Sequence, residues 1–175
     1  MRIIAVAAVT AGGKTTVVKE LLKILPNAAA LYFDDYDFAG AVDDFYKWTI
    51  AGANYNVWNL ESLKNDICKI MARNEYEYLL LDYPFAYCHN DIKQYINTAI
   101  FIDTPLDIAL ARGILRDMKN SSTEDITNWL EYYLNRVRVA FVQMQKDILP
   151  VSDYVIDGNK SIEEIVKDIV VKLHT

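Results

Sequence analysis

Ala8-Val9-Thr10-Ala11-Gly12-Gly13-Lys14-Thr15, followed by Thr16, is the stretch on which the reading of the whole chain turns. It matches the phosphate-loop pattern Gly-x-x-x-x-Gly-Lys-Ser/Thr at every fixed position except the first, where Ala8 stands in place of glycine. The chemistry explains the pattern. Glycines let successive backbone N–H groups turn inward around an anion. A helix that begins at the lysine adds its unpaired amide donors and its partial positive charge. Thr10, Ala11, Gly12, Gly13, Lys14, Thr15 and Thr16 are therefore the candidate polyphosphate-binding residues. Ala8 is a mild departure as long as its φ stays negative, because only a positive φ demands glycine there.

The flanks fit such a loop. Ile3 to Ala8 is apolar without alternation, as expected of a central strand buried on both faces. After the loop, Val17, Val18, Leu21, Ile24 and Leu25 share one helical face, and Pro26-Asn27 ends that helix. Further apolar strands are predicted at Ala28 to Phe33, Tyr78 to Leu81, Thr98 to Ile102 and Tyr154 to Ile156. Helices are predicted between them, including a long stretch from Glu124 to about Ile148 broken by Pro150. Ser121 with Glu124, and Ser161 with Glu164, have capping-box spacing. Cys68 is expected on the apolar face of the helix carrying Leu63 and Ile67. Alternating strands and helices predict an α/β chain with three layers, a five-stranded mainly parallel sheet and helices on both faces. No linker or repeat divides it, so residues 1–175 read as one domain.

In such sheets ligands bind beyond the carboxyl ends of the strands. Thr10, Asp34, Asp82 and Asp103 occupy those ends. Lys14 is expected to reach the β and γ phosphates of ATP, and Thr15 to place its hydroxyl on Mg²⁺. Asp82 is the candidate second metal-binding group, directly or through water. Asp34 is the candidate base for an acceptor hydroxyl. Asp103, in an Asp-Thr-Pro turn, reads as a cap. Arg112 and Arg116 lie four apart on one helix face, and in an acidic chain such clustered cations are the places to look for a phosphate partner. The competing reading is salt bridges with Asp107 or Asp117. Trp48, Tyr55 and Trp58 crowd an irregular segment, either packing beneath a loop or forming a stacking platform. Tyr55 is the preferred platform residue. His89 and His174 have no partner visible in the sequence.

Composition narrows the classes. The 175 residues are 53% hydrophobic and 24% charged, with a net charge of −6. No basic stripe suggests nucleic-acid binding, and the acidic balance disfavours an anionic membrane surface. Cys68 and Cys88 lack the spacing of a zinc site and read as free thiols. The N-terminus has no signal-peptide layout and no apolar run is long enough to span a membrane, so the expected location is the cytoplasm. The expected partner is a small molecule, and the chain a monomer or homodimer.

Lys14-Thr15-Thr16, Leu25-Pro26-Asn27 and Asp34-Asp35-Tyr36 resemble the opening of the uridine kinase and nicotinamide riboside kinase family, which is phosphoribulokinase-like. The likeness continues through Tyr55-Asn56-Val57-Trp58, Leu81-Asp82, Ile102-Asp103-Thr104-Pro105, the Arg112/Arg116 helix and Asp157-Gly158. It implies a P-loop NTPase fold with a helical lid at approximately 112–140. The activity it implies is ATP-dependent 5′-phosphorylation of a nucleoside of the uridine, cytidine or nicotinamide riboside type. It assigns Asp34 as base or substrate anchor, Asp82 to Mg²⁺, Tyr55 to stacking on the base and position 56 to the ribose hydroxyls. Relatives carry Asp where this chain has Asn56, and a neutral amide gives up charge-assisted strength. Tyr83-Pro84 likewise follows Asp82 without an obvious glycine.

Two other readings remain open from the residues. One is a nucleoside monophosphate or dephospho-CoA-type kinase. A charged acceptor would need cations between Ala39 and Asn59, where only Lys47 occurs. The other is a non-catalytic ATP-binding sensor, with Ala8 and Asn56 as marks of decay.

Overall fold

The computed structural model describes residues 1–174. Strands β1 (Arg2–Ala7), β2 (Ala28–Tyr32), β3 (Tyr78–Asp82), β4 (Thr98–Asp103) and β5 (Tyr154–Asp157) form one sheet in the order β2-β3-β1-β4-β5. All four pairings are parallel. The connections carry helices α1 (Lys14–Ile24), α2 (Phe45–Ile50), α3 (Glu61–Arg73), α4 (Asn90–Lys93), α5 (Leu106–Asp117), α6 (Thr123–Tyr132) and α7 (Arg138–Ile148). Helix α8 (Ile162–Leu173) follows β5.

Central β1 shows why the sheet is covered on both sides. Ile3, Ala5 and Ala7 enter a core shared with Leu63 and Ile67 of α3 and Ile148 of α7. Ile4, Val6 and Ala8 enter a second core with Val17, Val18 and Leu21 of α1 and Ile165 and Ile169 of α8. Alternate side chains of a strand point to opposite faces, so an unbroken apolar run is what two cores require.

The predicted helix from Glu124 to Ile148 is observed as one helical run with a change of pitch. Between α6 and α7, Tyr133–Val137 form a single π turn, and the flanking residues Tyr132 and Arg138 keep right-handed helical dihedrals. Such turns often accompany functional sites. The interval expected to form a lid thus comprises the end of α5, the 118–122 connector, α6, the π turn and the start of α7.

Two local expectations are corrected. The capping box of α6 is Ser122 with Asp125, not Ser121 with Glu124. Both pairs have the required spacing, and the helix begins one residue later than the first pair demands. Cys68 is exposed. Leu63 and Ile67 are buried one turn apart, and the next residue along is rotated about 100° away from their face. The Ser161–Glu164 box of α8 is present as predicted.

Candidate functional site

Parallel register brings the chemistry to one sheet edge. Val6 of β1 and Tyr32 of β2 both pair with Asp82, the last residue of β3. Three strand ends therefore converge, each releasing a loop on the same side. The loop after β1 is the phosphate loop. Ala11 (φ 58°) and Gly13 (φ 102°) both take left-handed dihedrals, and Gly13 is the N-cap of α1. Gly12 donates its N–H to the Val9 carbonyl at 2.9 Å. A Cβ on Gly12 would lie 2.8 Å from that carbonyl oxygen and 2.9 Å from the Ala8 Cβ, so the position admits only glycine. Ala8 is buried and has no positive φ. Its methyl is packed in the α1/α8 core.

A second turn supports the loop from behind. Thr104, buried just after β4, donates its hydroxyl to the Gly12 carbonyl at 2.8 Å. Gly158, after β5, donates its N–H to the Asp103 carbonyl at 3.0 Å. Asp103 does not cap α5, whose N-cap is Pro105; its carboxylate accepts from Gln145 Nε2 of α7 at 3.2 Å. Packing of small groups extends to α5, where a Cβ on Gly113 would sit 3.6 Å from that of Ala11.

Lys14, Thr15 and Asp82 form a compact triad. The Lys14 ammonium stands 3.0 Å from Asp82 Oδ1 and 3.6 Å from Asp34 Oδ2. Thr15 donates its hydroxyl to Asp82 Oδ2 at 2.5 Å. Asp82 is 1% exposed, whereas the Asp34 side chain is 76% exposed. Asp82 Oδ1 is buried without an aligned hydrogen bond. Asp82 Oδ1, whose partner is the Lys14 ammonium, and the neighbouring Thr15 hydroxyl are a donor set suited to Mg²⁺, which takes one or two protein oxygens and completes its shell with water and phosphate. Among the described residues no cluster of three or more His, Cys, Asp or Glu could hold a metal alone.

Lys14, Thr15 and Asp34 line a cavity of about 540 Å³ together with Arg112 and Arg116. The same cavity is walled by Phe33, Phe45, Trp58, Phe85, Phe141 and Met144. Among the described residues, its only cations are Lys14, Arg112 and Arg116. The two arginines are not equivalent. Arg116 makes a bidentate pair with Asp117 at 2.6 and 2.7 Å, while Arg112 forms no salt bridge among the described residues.

Tyr55 and Asn56 stand apart from this cavity. Tyr55 is buried, edge-on to Trp48 and tilted against Phe85, and its hydroxyl donates to Asp147 Oδ2 at 3.0 Å. Burial first, then the Asp147 charge, push its phenol pKa well above the ordinary value. Asn56 ties the backbone together. Its Oδ1 accepts from the Asn90 N–H at 2.8 Å and its Nδ2 donates to Asn54 Oδ1 at 3.2 Å. That double role needs an amide. Asn56→Asp, which would increase the likeness to the resembled family, is expected to lower stability by about 1 kcal/mol, because a carboxylate would then face Asn54 Oδ1. Urea denaturation checks this, and a gain in stability would contradict it.

The sequence left Trp58 undecided and did not single out Phe33, Phe45, Phe85 or Thr104. Phe141 and Met144 do carry a signal, since three-residue spacing puts them on one face of α7.

No model of a known protein family matches the chain, and no curated protein matches its sequence. Solved structures do match in shape. The fold is that of the P-loop kinases. Deoxyadenosine kinase from M. mycoides, solved with dCMP and dCDP, is 13% identical over 98% of both chains with a TM-score of 0.55. Shikimate kinase from Bacteroides thetaiotaomicron is 15% identical over 99% of both, with a TM-score of 0.59. A possible uridine kinase from Bacillus stearothermophilus is 12% identical, with a TM-score of 0.53, over 89% of this chain and 88% of its own. At these identities the likeness concerns the fold. Among the described residues no helix is long and apolar enough to cross a membrane.

Proposed function

We propose that the protein is a magnesium-ATP-dependent phosphotransferase whose acceptor is the hydroxyl of a small, uncharged molecule bearing a flat ring, with the 5′-hydroxyl of a nucleoside as first choice. One observation carries this reading. A single cavity joins Lys14 and Thr15, the two partners of buried Asp82, and the exposed Asp34 carboxylate to an aromatic wall that has no cation of its own. Flat rings stack favourably on such walls. A phosphate or carboxylate on the acceptor would have no partner there beyond the three cations already close to the phosphate loop.

The residues divide the work. Amides of Thr10 to Thr16 enclose the β and γ phosphates, and Lys14 leaves the carboxylates to neutralise them. Thr15 and Asp82 would hold Mg²⁺, which when bound supplies charge neutralisation at the phosphates. Asp34 orients the acceptor hydroxyl and takes its proton. The acceptor oxygen forms a bond to the γ phosphorus as the bond to the β-phosphate oxygen breaks, and ADP leaves. Arg112, which forms no salt bridge among the described residues, meets the transferring group. Arg112→Ala is expected to lower kcat about 10²-fold with little change in KM for the acceptor. Arg116→Ala is expected to do less, because its guanidinium is engaged by Asp117.

The test mixes protein, Mg-ATP and a panel of uridine, cytidine, nicotinamide riboside and deoxyadenosine, against shikimate and uridine monophosphate, and follows ADP. Turnover with the last two and with none of the nucleosides would reject the acceptor assignment. The sensor reading loses its motive, since the Ala8 methyl packs in the core and Asn56 is employed in a backbone tie. It predicts Mg-ATP binding with no acceptor-dependent ADP.

A further inference from the structure

His89 is 1% exposed and both its ring nitrogens are engaged. Nδ1 accepts the Asp91 N–H at 3.3 Å, at the N-cap of α4. The proton therefore resides on Nε2, which donates to the Trp58 carbonyl at 2.9 Å. Asn56 makes a second bond across the same gap, to the Asn90 N–H. Two side chains thus join the 54–58 turn to the segment that follows Asp82. The turn delivers Trp58 to the cavity and the segment delivers Phe85, with ring centroids 4.8 Å apart.

We infer that His89 is a positioning residue for the acceptor: through Trp58 it sets the spacing of the aromatic wall, without itself touching substrate. This rests on the acceptor reading of the cavity. The α4 cap alone does not explain the arrangement. A helix of four residues needs only Nδ1 for its cap, and an asparagine would serve. The bond from Nε2 runs instead to a carbonyl 31 residues earlier, on a residue that lines the cavity. A buried histidine with both nitrogens committed holds the two segments at a fixed distance, whereas apolar packing alone permits sliding.

The two bonds can be separated by substitution. His89→Gln can place an amide near Nε2 and keep the donation to the Trp58 carbonyl. His89→Asn can place an amide oxygen near Nδ1 and keep only the cap. The readouts are KM for uridine, KM for Mg-ATP, kcat, and hydrogen exchange of the backbone between residues 54 and 60. The inference expects His89→Asn to raise the uridine KM about tenfold, the factor carried by about 1.4 kcal/mol, and to accelerate exchange in that segment. The Mg-ATP KM and kcat stay within about twofold. His89→Gln is expected to restore both the uridine KM and the exchange rate. The converse pattern, with Asn normal and Gln impaired, overturns the inference in favour of a helix cap. Two parent-like variants, or two variants without cooperative unfolding, overturn it as well. If the parent turns over no uridine, the acceptor reading fails on its own account, and the exchange comparison still decides whether His89 holds the Trp58 turn.

Discussion

Lys14→Ala is expected to lower phosphotransfer at least about 10³-fold and, separately, to destabilise the protein by about 3 kcal/mol. The first effect follows from losing the point charge at the β and γ phosphates. The second follows from Asp82. That carboxylate is 1% exposed, and among the described residues the Lys14 ammonium 3.0 Å away is the only cation in a salt bridge with it. Removing one partner of a buried pair strands the other, which is costly whether the carboxylate keeps its charge or takes a proton. Asp82→Asn in the Lys14→Ala background removes the stranded charge and keeps an acceptor for the Thr15 hydroxyl. The double variant is expected to regain most of the lost stability and none of the activity. Urea denaturation of the four proteins, with ADP release measured alongside, gives the coupling. A double variant no more stable than Lys14→Ala would show that the pair does not hold the site together.

The candidate role of Lys14 is visible in the sequence, because the phosphate loop is local; its ion pair with Asp82 is seen only in the fold. Eight consecutive residues carry the motif, and the apolar runs at Ile3–Ala8 and Leu79–Leu81 announce buried parallel strands. The convergence of Asp34 and Asp82 on Lys14 was legible for a related reason: Asp82 ends β3, Asp34 lies in the turn just after β2, and parallel strands end on one side. The aromatic wall of the cavity was not. Tyr55 and Trp58 lie three residues apart in an irregular segment, where no periodicity tells a packed ring from an available one. Their roles are set by distant partners. Tyr55 is turned inward by Asp147, 92 residues later, and Trp58 is held at the cavity by His89. Asn56 illustrates the same limit. Judged by the family it resembles, it is a weakened ribose ligand; judged by its bonds to Asn54 and Asn90, it is a brace.

Gly158→Ala is expected to be the most damaging change far from any phosphate, costing about 3 kcal/mol of stability and weakening Mg-ATP binding about tenfold. A Cβ at Gly158 would fall 2.1 Å from Thr104 Oγ1, 2.6 Å from its Cα and 2.7 Å from its N. Two of those atoms are backbone, so no rotamer change relieves the overlap, and the turns after β4 and β5 must separate. Thr104 would move with its turn and release the Gly12 carbonyl, leaving the phosphate loop without its rear support. Thr104→Val isolates that last step. It keeps the shape, removes the hydroxyl and leaves a carbonyl unpaired, at an expected cost of about 1–2 kcal/mol. If the loop is held through Thr104, both variants weaken Mg-ATP in calorimetry, and Gly158→Ala also lowers the thermal midpoint by the larger amount. A Gly158→Ala protein with the parent's midpoint and affinity would mean that the β5 turn yields freely. Thr104 would then be a local bond rather than the link between the far edge of the sheet and the nucleotide.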